Sequence, residues 1–175
     1  IQRRQTFAEE LGEIVHRIHS QLSGGQEEME LKYEPNVTVD AFAQMLFLNR
    51  ERDMRLKTTA TGPHRDDISF VVNGVDIRKF GSQGQQRTAA LSLKLSEIEL
   101  VKRLIGDTPV LLLDDVLSEL DSGRQNYLLN SIENIQTLIT CTGLDEFVNH
   151  RFSINRIYKV TDGSVTVENK QEADR

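Results

Sequence analysis

The chain has 175 residues, 38% hydrophobic and 27% charged, with a formal net charge of −6 and a single cysteine. That length supports one sizeable core with a small appendage, and the composition is that of a globular protein. The acidic balance excludes a nonspecific nucleic-acid sponge, the lone Cys141 excludes an internal disulfide framework and fits a reducing cytoplasm, and no apolar run is long enough to span a membrane.

The opening Ile1-Gln2-Arg3-Arg4 carries neither an initiator Met nor an apolar signal region, so a piece cut from a longer polypeptide is expected. Residues 5–21 place Phe7, Ala8, Leu11, Ile14, Val15 and Ile18 at helical spacing, with Leu22 closing the stripe. His16 and His19 lie three apart; with no Cys or third His close by, they read as solvated helix histidines rather than metal ligands. Leu22-Ser23-Gly24-Gly25-Gln26 reads as a flexible turn, followed by a segment rich in Glu (Glu27, Glu28, Glu30). Met29, Leu31 and Tyr33 alternate as a strand, with Val37 in the same alternation. Pro35 puts that strand at a sheet edge or ends it early.

Asp40 is expected to cap a helix running to about residue 57, apolar in its first half and net basic from residue 49 on. Arg50, Arg52, Arg55 and Lys57, together with Arg3 and Arg4, form the best candidate patch for a DNA backbone. A solvated helix end, its cations complementing the macrodipole, is the plainer alternative. Thr61-Gly62-Pro63-His64-Arg65-Asp66-Asp67 is turn-rich, and is either a self-satisfied ion-pair turn or a surface beside a nucleotide. Residues 68–72 read as a strand, Asn73-Gly74 as a hairpin turn, and Val75, Asp76 and Ile77 as the returning strand.

Phe80-Gly81-Ser82-Gln83-Gly84-Gln85-Gln86-Arg87-Thr88 opens a long helix over residues 83–104. Ser82 is its expected N-cap, and Gly81 and Gly84 allow close backbone approach. A helix start with exposed N–H groups and a serine hydroxyl is a ready anion site. After Gly106 and Pro109, Val110-Leu111-Leu112-Leu113 runs into Asp114-Asp115, which reads as a strand buried on both faces. Its C-terminal edge is where open α/β sheets bind ligands, and adjacent carboxylates there suit a Mg²⁺-nucleotide. A buried strand capped by a helix-starting Asp is the bland alternative. Asp121 starts a helix over 122–132, and 136–140 reads as a second buried parallel strand with Cys141-Thr142-Gly143 at its edge. Residues 154–160 and 164–168 flank Asp162-Gly163 as a hairpin, and 170–175 look like a frayed tail. The expected fold class is α/β, parallel buried strands with flanking helices.

Three stretches taken together are specific: Gly62-Pro63-His64-Arg65-Asp66-Asp67, the Phe80–Thr88 run, and Leu112-Leu113-Asp114-Asp115-Val116-Leu117-Ser118-Glu119-Leu120-Asp121 with Arg124. They resemble the C-terminal half of the bacterial RecF family, DNA replication and repair proteins that are ABC-type ATPases related to the SMC heads. The resemblance covers essentially the whole chain. It implies a helical arm segment at 1–60 and, at 61–175, the C-terminal part of an ABC-type ATPase lobe with signature, Walker B and D-loop. It implies that Asp114 holds Mg²⁺ through water, and that the catalytic Asp115 stands where many ABC ATPases have the water-polarising Glu. The shorter side chain must reach further, so slow hydrolysis, a switch rather than a motor, is expected. Ser82, Gln83, Gly84 and Gln85 would bind the γ-phosphate on a partner protomer, while Ser118, Glu119 and Asp121 would cross the dimer seam as D-loop.

The resemblance further implies a cytoplasmic, nucleoid-associated protein that forms a homodimer on ATP and DNA, and that works with RecO and RecR to load RecA at gaps. One stretch is a decoy and two features depart from the pattern. Residues 22–26 spell the commonest ABC signature, but lie far upstream of the Asp doublet and are followed by acidic residues that would repel a phosphate. The usual His after the strand at 136–140 is absent, with Thr142 near that place. No Gly-x-x-x-x-Gly-Lys-Ser/Thr occurs in the 175 residues, so ATP and Mg²⁺ are expected to bind only with an N-terminal half that supplies one. The alternatives are the head of another SMC-like ATPase, which would show long heptads before the signature, and a non-catalytic ABC-type scaffold, which would tolerate loss of the aspartates.

Overall fold

The computed structural model describes residues 1–141 and 156–168. Thr142, Gly143, residues 154 and 155 and the tail at 170–175 lie outside the described residues.

The apolar stripe at the start of the chain forms α1 (Gln2–Leu22), burying Ala8, Leu11, Ile14, Val15, Ile18 and Leu22. His19 lies on that same face and is fully buried, which overturns its reading as a solvated histidine; His16 is exposed. Gly24 and Gly25, both with positive φ, make the turn after α1 that the Ser/Gly composition predicts.

β1 (Met29–Glu34) is the edge of an antiparallel sheet in the order β1-β2-β3, with β2 (Asp67–Val72) in the centre and β3 (Val75–Asp76) on the far side. Met29 opposes Val72 and both are buried, which fixes the register. Pro35 stands just beyond the strand, and Val37 is buried outside it. Asn73 and Gly74 turn β2 into β3 with φ of 49° and 82°. Ile77, expected in the returning strand, instead begins the short helix α3 (Ile77–Phe80), because Asp76 accepts the Arg78 N–H at 3.0 Å and caps it.

α2 (Phe42–Leu56) lacks the expected Asp40 cap. Its N-cap position is Ala41, whose N–H goes back to Thr38 Oγ1 at 3.4 Å, so Asp40 sits inside a preceding turn. No residue of α2 is buried; Phe42, Leu46, Asn49 and Asp53, spaced along one face, are its least exposed side.

α4 (Gln83–Ile105) is capped by Ser82 and ends at Gly106 in the left-handed conformation. Thr88, Ser92 and Ser96 face the core at four-residue spacing. Their hydroxyls lie 2.7, 2.7 and 2.6 Å from the carbonyl oxygen one turn back, and Ser92 Oγ also meets His19 Nδ1 at 3.0 Å, which offsets the cost of burying them. These small side chains let α1 lie closely along α4.

β4 (Leu111–Asp114) and β5 (Thr137–Thr140) pair in parallel, connected through α5 (Ser122–Ser131). Leu113, Leu117, Leu128, Leu129, Ile132 and Ile135 join the α1 and α4 side chains in one core. The expectation of strands buried on both faces fails: Leu112 is 71% and Leu138 55% exposed. Among the described residues the sheet is covered on one face and open on the other. β6 (Ile157–Thr161) and β7 (Ser164–Glu168) form the expected hairpin about Asp162-Gly163. The β1–β2 ladder and the α1–α4 packing both cross residue 60, so α1 and β1 share one core with α4, β4 and α5. Among the described residues no helix is long and apolar enough to cross a membrane.

Candidate functional site

Two places hold the residues singled out from sequence, and each is set by its local fold. The first is the C-terminal edge of the parallel pair. The register sets Asp114 opposite Thr140, the last residue of β5. Thr140 Oγ1 donates to Asp114 Oδ1 in a short hydrogen bond. The same Oγ1 accepts the Asp115 N–H at 3.1 Å, and so does the Thr140 carbonyl oxygen at 3.1 Å. One threonine therefore holds both aspartates. Asp115 has φ of 51°, a left-handed conformation that Asp tolerates better than most residues and that the two Thr140 bonds enforce. The chain then turns through a single 3-10 turn (Leu117–Glu119). Ser118 Oγ donates back to the Asp115 carbonyl at 2.8 Å, and Gln125 Nε2 donates to the Leu117 carbonyl at 2.7 Å.

Asp121 caps α5 as expected. Its Oδ1 accepts the Arg124 N–H at 3.0 Å and its Oδ2 pairs with the Arg124 guanidinium. That backbone bond, aided by the guanidinium, holds the Asp121 carboxyl below its ordinary range.

The second place is the start of α4. Ser82 Oγ accepts the Gln85 N–H at 3.2 Å, and Gln85 Oε1 accepts the Ser82 N–H at 3.0 Å, a complete capping box. The first-turn N–H groups of Gln83 and Gly84 have no acceptor among the described residues, and both residues are exposed. A phosphate oxygen would meet those donors, the Ser82 hydroxyl proton and the positive end of the helix dipole. The two expected glycines behave differently. A Cβ at Gly81 would lie 2.6 Å from the Ile77 carbonyl oxygen, so the chain itself requires that glycine. At Gly84 the nearest atom is Ser82 Oγ at 3.9 Å, so the space beside it is open.

The segment at 62–67 closes on itself, the Arg65 N–H donating to the Gly62 carbonyl at 2.9 Å, and is also tied to its neighbours. His64 Nε2 and Arg65 Nε both donate to the Thr59 carbonyl, at 2.8 and 3.2 Å. Asp66 accepts from Tyr33 Oη and, at 2.8 Å, from the Asn36 N–H. Desolvation and that bond push the Tyr33 hydroxyl up to about 12. Asp67 takes a two-pronged ion pair from Arg78, at 2.7 and 3.2 Å.

The basic candidates fall on two elements that meet this segment. Arg4 Nη1 donates to the Pro63 carbonyl at 2.6 Å, and Asn49 of α2 donates to Thr61 Oγ1 at 2.9 Å. Arg3, Arg50, Arg52, Arg55 and Lys57 are exposed and, among the described residues, make no salt bridge. Sequence reading did not single out Thr140, and took the buried His19 as solvated. Thr140 becomes visible only through strand register. His19 carried a signal, standing four residues after Val15 and three before Leu22 on the buried stripe.

No protein-family model matches the chain. It is 59% identical over 169 residues to the DNA replication and repair protein RecF of Lachnospira eligens, covering 97% of the chain and 47% of that protein. With RecF of Agathobacter rectalis the identity is 60% over 167 residues, covering 95% and 46%. With RecF of Geobacillus thermodenitrificans it is 45% over 174 residues, covering 93% and 47%. Solved structures of the recombination mediator protein RecF in the RecFOR pathway, as RecF-ATPrS and as RecF-ATP, superpose with TM-scores of 0.77 and 0.76 at 34% identity. They cover 94% and 96% of the chain, and 45% and 46% of those chains. The chain thus spans about half the length of the RecF proteins it matches. Its mixed α/β fold is that of an ABC-ATPase-like head, and the chain corresponds to the C-terminal half of RecF, the DNA replication and repair protein.

Proposed function

We propose that this chain is the signature- and acid-bearing half of an ATP-switched recombination mediator. In this reading Ser82, Gln83, Gly84 and Gln85 bind the γ-phosphate of ATP held by a partner protomer. Asp115 polarises the attacking water on its own protomer, and Ser118, Glu119 and Asp121 line the seam between two copies. The observation that carries the reading is the anion-ready, solvent-facing start of α4 in the same chain as an acidic doublet clamped at an open sheet edge.

The oxygen donors at that edge, the Asp114 carboxylate with the Thr140 hydroxyl beside it, fit Mg²⁺, which takes one or two carboxylates and keeps several waters. Among the described residues no cluster of three or more His, Cys, Asp or Glu exists to cage a metal, so Asp114 would hold it through water. The ion would supply charge neutralisation for phosphoryl transfer. The β- and γ-phosphates need a P-loop, which these 175 residues do not contain. The complete protein, with an N-terminal half supplying that loop, is a homodimer on ATP that holds double-stranded or gapped DNA and works with RecO and RecR in the cytoplasm to load RecA. Of residues 1–60, α2 belongs to its arm, while α1 and β1 pack into the head. Arg3, Arg4, Arg50, Arg52, Arg55 and Lys57 are the candidate backbone contacts; five of them, all but Arg4, are exposed and make no salt bridge among the described residues, which favours phosphate contacts over a merely solvated helix end.

Calorimetric titration of Mg-ATP tests the division of labour. The chain alone should show no binding, and the chain joined to or mixed with its N-terminal half should bind. Micromolar binding by the chain alone would overturn the reading.

A further inference from the structure

The turn after α1 ends at Glu27, where α1, its following loop and the start of α4 meet. Ser23 Oγ accepts the Glu27 N–H at 3.2 Å and fixes how the loop presents that residue. One Glu27 oxygen accepts from Gln85 Nε2 at 2.9 Å, and the other from His19 Nε2 at 3.1 Å. His19 is fully buried, with Nδ1 3.0 Å from Ser92 Oγ, which also lies 2.7 Å from the Thr88 carbonyl oxygen.

An ionised carboxylate can only accept hydrogen bonds. Glu27 therefore forces the Gln85 amide to turn its NH₂ inward, leaving only Oε1 to face the Ser82 N–H. We propose that Glu27 is a positioning residue for the Ser82 turn: acting through Gln85, it presets the capping box that aims the Ser82 hydroxyl proton and the free Gln83 and Gly84 N–H groups at a phosphate. The consequence for ATP rests on the function proposed above; the orientation of Gln85 does not. Because Ser82 Oγ accepts from the Gln85 N–H, its own proton stays free to donate outward.

Glu27→Gln and Glu27→Ala separate position from charge. The Gln variant keeps an acceptor for Gln85. Its NH₂ can donate to His19 Nε2 once His19 carries its proton on Nδ1 and donates to Ser92 Oγ, whose proton then goes to Thr88. The Ala variant keeps nothing. Hydrogen exchange at the Ser82 amide, measured without nucleotide, should rise about fivefold in Glu27→Ala, the loss of one net hydrogen bond, and stay within about twofold of wild type in Glu27→Gln. Equal exchange in all three proteins would overturn the proposal.

In the full-length protein, Glu27→Ala should raise the ATP concentration for half-maximal dimerisation about fivefold, with monomer ATP affinity unchanged, and Glu27→Gln should restore it. Dimerisation of Glu27→Ala at wild-type ATP concentrations would remove its role at the phosphate site. A wild-type protein that does not dimerise on ATP would end the functional reading instead, and the exchange result would still decide the role of Glu27.

Discussion

Thr140 joins the two aspartates, so the three side chains should fail in distinguishable ways. In the full-length protein Asp115→Asn should leave ATP binding nearly intact and lower steady-state phosphate release, since charge is lost only at the position proposed to activate water. Unchanged phosphate release would remove Asp115 from that role. Asp114→Asn should instead weaken the Mg²⁺-dependent part of nucleotide binding. Thr140→Val keeps the shape but drops the clamp; losing a charge-assisted hydrogen bond should lower turnover about tenfold. His19 gives a different signal. Burial, opposed by Glu27 and aided by Arg124 and His16, holds its pKa below the ordinary 6.5. The unfolded chain then binds a proton that the folded chain resists. Stability is complete above pH 6.5 and falls as the pH drops from there toward the folded value, by at most about 1.4 kcal/mol per pH unit. Urea unfolding between pH 7.5 and 5.5 should show that slope, and His19→Gln should flatten it.

At the scale of elements, the start of α4 was legible because a Ser cap, two glycines and an apolar run announce themselves locally. The acidic strand was legible for the same reason, whereas the Thr140 clamp needs the parallel register and the Glu27 contact needs a loop folded back on α4. Asp40 misled because Thr38, two residues earlier, captured the turn first. The two glycines of the Ser82 turn now make opposite predictions. Gly81→Ala drives a Cβ into the Ile77 backbone and should cost about 1–3 kcal/mol in thermal unfolding. Gly84→Ala meets only open space at an exposed helical position and should stabilise the chain by about 0.5–1 kcal/mol. If a phosphate and a second protomer close over Gly84, the same substitution should weaken ATP-driven assembly. A Gly84→Ala protein that gains stability and assembles normally would show that the space is simply solvent.

For the whole molecule, the sequence announced parallel strands but not what covers them. Four aliphatic residues in a row read as burial on two faces, yet Val110, Leu112 and Leu138 are more than half exposed here. α2 likewise shows Phe47, Leu48 and Met54 to solvent. Exposed aliphatic side chains on neighbouring strands are the kind of surface a partner segment covers. A chain spanning half of its relatives accounts for it if the remaining half packs on the open face of β4 and β5. The central claim is that the Ser82 turn acts on ATP held by another copy, and sedimentation of the full-length protein with and without ATP tests it most directly. Ser82→Arg should bind ATP as a monomer with wild-type affinity, because the phosphate cradle lies in cis, yet remain monomeric where wild type dimerises, since a bulky cation fills the packed seam. A Ser82→Arg protein that still dimerises on ATP would make the turn an ordinary helix cap and contradict the account.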